Sequence, residues 1–189
     1  MNLITTFLVC LYFPVPFIML WLHLLQPVWR PLGKHSYWIH TPVYLAMVAT
    51  CALLHRRWST GVLIDAGAAD VVGFGLIGIS VAILIISYRF IDPWTLMAGP
   101  QLTRSRRKLI TDGIYAYIRH PRYLILITGA LGNFLLTGTV SLLIAFIVTT
   151  TLTIMLTHVE EAELRRQFGS AYEDYAHRVP AFIPRRRNL

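Results

Sequence analysis

Between Arg122 and Glu160 lie 37 consecutive residues without Asp, Glu, Lys or Arg. As one α-helix this run would extend about 55 Å, well past a hydrocarbon core of about 30 Å. It must therefore fold back on itself as a hairpin. Gly132 with Asn133, or Thr137, Gly138 and Thr139, are the turn candidates, and the second choice gives arms of about 15 and 20 residues. The composition agrees with a membrane setting: 56% of the 189 residues are hydrophobic and 14% charged. About 20 apolar residues are needed per helical span, so the chain has room for four or five and a large multidomain transporter is excluded.

The other apolar runs give the remaining spans. Residues 1–29 carry no Asp, Glu, Lys or Arg, with Pro14 and Pro16 bending this segment and Pro27 near its end. It lacks a basic region before the apolar run and a small-residue cleavage site after it, so it reads as a span and not as a cleaved signal. Arg30 and Lys34 mark a loop; residues 35–55 form a second span closed by Arg56 and Arg57, and after Asp65 and Asp70 residues 71–88 form a third closed by Arg89. The expected fold is all-α: a single membrane domain over residues 1–189, with N-terminal spans in 1–91, a second half in 92–189 that holds the polar segment, the hairpin and the C-terminal helices, and about five spans in all.

Of seventeen Lys and Arg, thirteen stand at Arg89 or later and none lies in the hairpin. The polar stretch from Asp92 to Arg122 and the C-terminus are thereby assigned to the cytoplasmic side. Five spans place Arg56 and Arg57 outside, against that bias. The net charge of +8 is read as an orientation signal and an attraction to anionic lipid, with no nucleic-acid partner. Beyond the hairpin, Glu160 to Phe168 continue as a soluble helix with Gly169 as C-cap. Ser170 and Glu173 form an expected capping box for a second short helix carrying Tyr172 and Tyr175, which Pro180 and Pro184 end. Arg185, Arg186 and Arg187 touch head groups, at about 1 kcal/mol each.

Gly73, Gly75 and Gly78 satisfy GxGxxG, but no strand precedes them and their neighbours are apolar span residues, so a dinucleotide fingerprint is rejected. Small residues here, as Ala69 with Gly73 and Thr128 with Gly132, instead permit close helix packing. Cys10 and Cys51 lie in apolar runs without CxxC spacing and read as buried thiols. No HExxH or Cys/His cluster offers a metal site.

Chemistry concentrates in residues 109–123. Gly113 permits a tight turn, and Pro121 at a first helical position, with His120 as cap, starts the hairpin's first arm. A helix N-terminus beside Arg119 and His120 is suited to a carboxylate or phosphate. The plainer alternative has Arg119 and Arg122 snorkelling to head groups, Tyr115, Tyr117 and Tyr123 forming an aromatic belt, and His120 only capping. Glu160 and Glu161 end the uncharged run, where an ionised carboxylate is costly and ordinarily has a partner or a task. The fold-back brings them to the side of Arg119 and His120. A Glu161–Arg165 bridge at i,i+4 is the plainer reading.

At these residues the chain resembles the isoprenylcysteine carboxyl methyltransferase family and the wider group of membrane phospholipid methyltransferases. The resemblance covers roughly residues 100–184. It runs through Leu109, Ile110, Thr111, Gly113, Tyr115, Arg119, His120, Pro121 and Tyr123, then Glu160, Glu161 and Leu164, Phe168, Gly169, Tyr172 and Tyr175, and Val179-Pro180. It implies a helical membrane enzyme that transfers a methyl group from S-adenosylmethionine, held between the last hairpin and the cytoplasmic segments. Arg107, Lys108, Leu109 and Ile110 would line the cofactor largely through backbone groups, with Gln101, Gly113, Tyr115, His120, Pro121, Arg122 and Tyr123 adding contacts and Glu160 binding a polar part. In the prenylcysteine enzymes an Arg one turn before the matched Glu faces the substrate carboxylate; here that position is Leu156. Either Arg119 takes that part or the acceptor has no carboxylate.

A sulfonium donor needs alignment more than activation, and proximity can contribute about 7 to 11 kcal/mol. A carboxylate acceptor needs no base at neutral pH, whereas an amine or thiol would use His120 or Glu161. Expected partners are membrane lipid and a hydrophobic or lipidated acceptor that enters sideways from the bilayer. The absence of targeting signals points to a prokaryotic inner membrane with the site facing the cytoplasm. The rivals are an NADPH-dependent sterol-type reductase, whose similar stretch typically has Asn where Arg122 stands, and a non-enzymatic lipid-binding scaffold.

Overall fold

The computed structural model describes residues 3–58, 61–64, 67–90 and 109–183, and among them the architecture is helical, with one isolated bridge between Val62 and Thr139. The helices are α1 (Leu3–Tyr12), α2 (Val15–Leu24), the single turn α3 (Gln26–Trp29), α4 (Tyr37–Trp58), α5 (Ala68–Tyr88), α6 (Pro121–Thr137), α7 (Val140–Phe168) and α8 (Ser170–Arg178), with 3-10 turns at Gly33–Ser36 and Gly113–Ala116. Pro14 and Pro16 lack the N–H groups that would continue α1, so the first apolar segment is divided at residues 13–14. The hydroxyl of Tyr44 on α4 donates to the carbonyl of Leu11 near that break at 2.5 Å.

Among the described residues, four stretches are long and apolar enough to cross a membrane: Phe7–Leu24, Gly33–Leu54, Ala68–Tyr88 and Val140–Phe168. The fifth expected span is α6, whose 17 residues extend only about 25 Å, short of a full hydrocarbon core. Pro121 starts it and Gly138 stops it. The hairpin therefore turns at Thr137, Gly138 and Thr139, and Gly132 with Asn133 lie inside α6.

Gly138 adopts φ +60° and its N–H closes α6 on the Phe134 carbonyl at 2.8 Å. Residues 61–64 lie against this tip, with the Leu63 N–H donating to the Gly138 carbonyl at 2.6 Å and the Val140 N–H to that of Gly61 at 3.1 Å. A Cβ on Gly138 would overlap the Ile64 carbonyl oxygen, so this position needs glycine for space as well as for conformation.

α6 lies between α5 and α7. Gly73 and Gly132 let α5 and α6 approach until a Cβ on Gly132 would stand 2.9 Å from the Gly73 carbonyl oxygen, and the Ser80 and Thr128 hydroxyls meet at 2.6 Å. Gly75 and Gly78 face open space and take no part in that contact. Cys10 and Cys51 are buried free thiols. α7 is 29 residues long, about 43 Å, and its last turns carry the carboxylates beyond the uncharged run.

Candidate active site

The hairpin sets the end of α7 beside the start of α6. His120 is the N-cap residue of α6 and Pro121 begins the helix, yet the imidazole makes no capping hydrogen bond. It turns to α7 instead, with Nε2 3.1 Å from Glu161 Oε1 and Nδ1 3.8 Å from Glu160 Oε2. The ring stacks on Tyr123 at 5.5 Å and an 11° tilt, with Phe182 6.0 Å away. His120 thus joins both carboxylates.

Arg119 donates from Nη2 to Glu161 Oε1 at 2.7 Å and from Nη1 to the carbonyls of Ala176 at 2.6 Å and Val179 at 3.2 Å. Its side chain is 13% exposed, and that of Glu161 9%. Snorkelling to head groups does not describe it. Arg165 also reaches Glu161, at 3.2 Å, so the i,i+4 bridge exists beside the longer-range contacts. The Tyr123 hydroxyl donates to Glu160, which also lies within electrostatic reach of Arg122 and His23. Three carboxylates, Glu160, Glu161 and Glu163, thereby alternate with Arg119, Arg122, Arg165, His120 and His23 in one cluster.

The segment after α8 closes one side. The Arg119 N–H donates to the Pro180 carbonyl at 2.9 Å and the His120 N–H to that of Ala181 at 3.0 Å. Tyr172, Tyr175 and Val179 form a buried cluster with Leu109, Leu164 and Phe168, and the Tyr175 hydroxyl donates to the Tyr115 carbonyl at 2.7 Å. Burial pushes the Tyr175 phenol up to about 12, and burial also raises Tyr115 and Tyr172, so all three stay protonated at neutral pH. The expected capping box does not form, because Gly169, at φ +55°, caps α8 itself and Ser170 is already helical.

Of the other expected contacts, Pro121, Tyr115 and Tyr123 are buried, whereas Tyr117 is exposed, so the three tyrosines do not form one belt. The side chain of Leu109 belongs to the tyrosine cluster, and Ile110 lies half-buried beside it in sequence. Gly113, at φ +61°, has Phe90 so close that a Cβ would overlap its ring. Gln101, Arg107 and Lys108 lie outside the described residues. Leu156 is fully buried one turn before Glu160. Sequence reasoning passed over His23, whose Nδ1 stands 2.9 Å from Glu163 Oε1. The sequence marks His23 as an ionisable residue within an uncharged span, which ordinarily has a partner, but does not say which.

Among the described residues, Tyr115 Oη, Tyr172 Oη and Arg119 Nε are buried without a hydrogen-bond partner. No cluster of His, Cys, Asp and Glu suited to a metal ion occurs among them. The arrangement can hold a zwitterionic ligand and can accept or return a proton at His120; Glu161, already bonded to Arg119, Arg165 and His120, is poorly placed to act as the base the sequence suggested.

The family described as phospholipid methyltransferase matches residues 68–171, which run from α5 to the start of α8. Over 77 residues the chain is 44% identical to a Protein-S-isoprenylcysteine O-methyltransferase of Schizosaccharomyces pombe, a match covering 40% of this chain and 33% of that protein. The chain thus matches about a third of the relative's length. No solved structure matches. The match to more than half of the chain, enclosing Arg119, His120, Glu160 and Glu161, shows that the chain belongs to the phospholipid methyltransferase family.

Proposed function

We propose that the protein transfers a methyl group from S-adenosylmethionine to a lipidic acceptor at the membrane interface. The observation that carries this reading is the meeting of Arg119, His120, Glu160 and Glu161 where the hairpin closes, inside the family-matched segment. The residues suit the cofactor: its amino-acid portion carries both charges, which the alternating carboxylates and cations complement, and the partnerless Tyr115 and Tyr172 hydroxyls offer further hydrogen bonds. When bound, the cofactor supplies a methyl group already activated on a sulfonium. The chain's own residues then bind, orient and move a proton.

Glu160, held by Tyr123 and His120, binds the cofactor's polar portion. Arg119 is fastened to Glu161 and two carbonyls, so its part is to hold the Glu161 carboxylate and the C-terminal segment in place. An acceptor that carries a proton, an amine or thiol, passes it to His120, because Glu161 is already paired with Arg119 and Arg165; a carboxylate acceptor leaves His120 unused in this way. The Leu156 position favours an acceptor whose carboxylate, if it has one, is held elsewhere than in the prenylcysteine enzymes. The basic C-terminal half favours a cytoplasmic site, with the cofactor arriving from water and the acceptor from the bilayer.

The test is transfer itself. Purified protein in vesicles, given S-adenosylmethionine labelled in its methyl group and candidate lipid acceptors, moves label into the organic phase, and His120→Ala reduces this at least about 100-fold. Protein that is folded and moves no label into any lipidic acceptor contradicts the proposal.

A further inference from the structure

The family match begins at Ala68, yet one residue of the N-terminal half enters the candidate site. His23 stands near the end of α2, between Leu22 and Leu24, in a segment with no Asp, Glu, Lys or Arg. An ionisable group in such a place ordinarily has a partner. Here the partner is Glu163 on α7, with Nδ1 2.9 Å from Oε1 and the His23 side chain 1% exposed. Glu163 follows Glu160 by three residues, so the two carboxylates share one face of α7. His23 lies within electrostatic reach of Glu160 as well, alongside Arg122, Tyr123 and His120 from the start of α6.

Two like charges one turn apart repel, and contacts from neighbouring helices set where such a pair points. His120 and Tyr123 hold Glu160 from α6. From α2, His23 holds Glu163, and α2 packs along α7 at this level. We propose that His23 is a positioning residue for the cofactor-binding carboxylate: by holding Glu163 it sets the end of α7 so that Glu160 stays directed at the cofactor site. This rests on the reading of that site as one for S-adenosylmethionine. It makes the first span part of the cofactor machinery and gives it a task beyond facing lipid.

The test is calorimetric titration of the full chain in detergent with S-adenosylhomocysteine, on wild type, His23→Asn, His23→Leu and the double variant His23→Leu/Glu163→Leu. Asn keeps an N–H donor where Nδ1 stands. The expected dissociation constants are within about twofold of wild type for His23→Asn and about tenfold weaker for His23→Leu, the latter equal to about 1.4 kcal/mol. The double variant removes the carboxylate that His23→Leu deprives of its imidazole contact, so it melts at or above the temperature of His23→Leu while binding stays weak. A purely structural, helix-docking role instead returns affinity together with stability in the double variant, and that result overturns the proposal. So does wild-type affinity in His23→Leu, or loss in His23→Asn equal to that in His23→Leu. If His23→Leu does not fold, the double variant and His23→Asn decide the question. Wild type that is folded and binds no S-adenosylhomocysteine refutes the cofactor reading itself and this role with it; wild type that binds beside unaffected variants refutes this role alone.

Discussion

Arg119→Met is the substitution whose cost the geometry defines best. It removes a 2.7 Å charged hydrogen bond to Glu161 and two bonds, at 2.6 and 3.2 Å, to the carbonyls of Ala176 and Val179. Breaking a buried ion pair by deleting one partner costs about 3 to 5 kcal/mol, because the remaining charge is left unpaired. Glu161 keeps His120 at 3.1 Å and Arg165 at 3.2 Å, so the low end, about 3 kcal/mol, is expected. For a chain of this size that is a fall in melting temperature of about 6 to 12 °C. Arg165 contacts the same carboxylate with its side chain 47% exposed, and solvent screens it. Arg165→Ala should therefore shift melting by no more than about 2 °C, from about 0.5 kcal/mol or less. Melting in detergent, followed by tryptophan fluorescence, compares the two, and Arg119→Met/Glu161→Leu should recover part of the loss. If Arg119→Met melts with Arg165→Ala, Arg119 does not hold the buried carboxylate and the account of the site is wrong.

Gly132→Val places a branched side chain where a Cβ already meets the Gly73 carbonyl, so it should destabilise by about 1 to 3 kcal/mol, while Gly75→Ala, in open space, should not; equal melting temperatures refute close packing of α5 on α6. Tyr175→Phe loses the hydrogen bond to the Tyr115 carbonyl and should cost about 1 kcal/mol at pH 8. The Tyr175 phenol is raised to about 12 in the folded state, so its protonated form contributes stability that is whole below the ordinary value near 10 and is lost as pH rises towards 12. The gap between wild type and Tyr175→Phe should accordingly narrow over that window, and a gap that widens contradicts the assignment.

Much of the hairpin was legible because its constraints are covalent and local. An uncharged run nearly twice as long as a bilayer allows must turn, and Gly138 is the residue that can take a positive φ under the weight of residues 61–64. The meeting of Arg119 and His120 with Glu160 and Glu161 follows from that turn alone. What failed depended on which of two adjacent residues does a job: Gly169 served as both C-cap and N-cap, which left Ser170 no capping role. His120 occupies the cap position, but its ring found stronger partners in two carboxylates than in backbone N–H groups. The choice between four and five spans turns on α6, which a proline start and a glycine stop shorten below a full crossing. His23 was missed because its partner is 140 residues away, and no local pattern pairs α2 with α7. The carbonyls of Ala176 and Val179 that hold Arg119 carry no side-chain signature at all.

The proposed binding of S-adenosylmethionine by Glu160 and His120 is tested most directly by the melting temperature of the purified protein with and without S-adenosylhomocysteine. At 100 times its dissociation constant the ligand should stabilise wild type by about 2.7 kcal/mol, a rise of about 5 to 11 °C. The account predicts that rise in wild type and its loss in folded Glu160→Ala and His120→Ala. An equal rise in all three proteins would contradict the placement of the site, and no rise in folded wild type would contradict the cofactor itself.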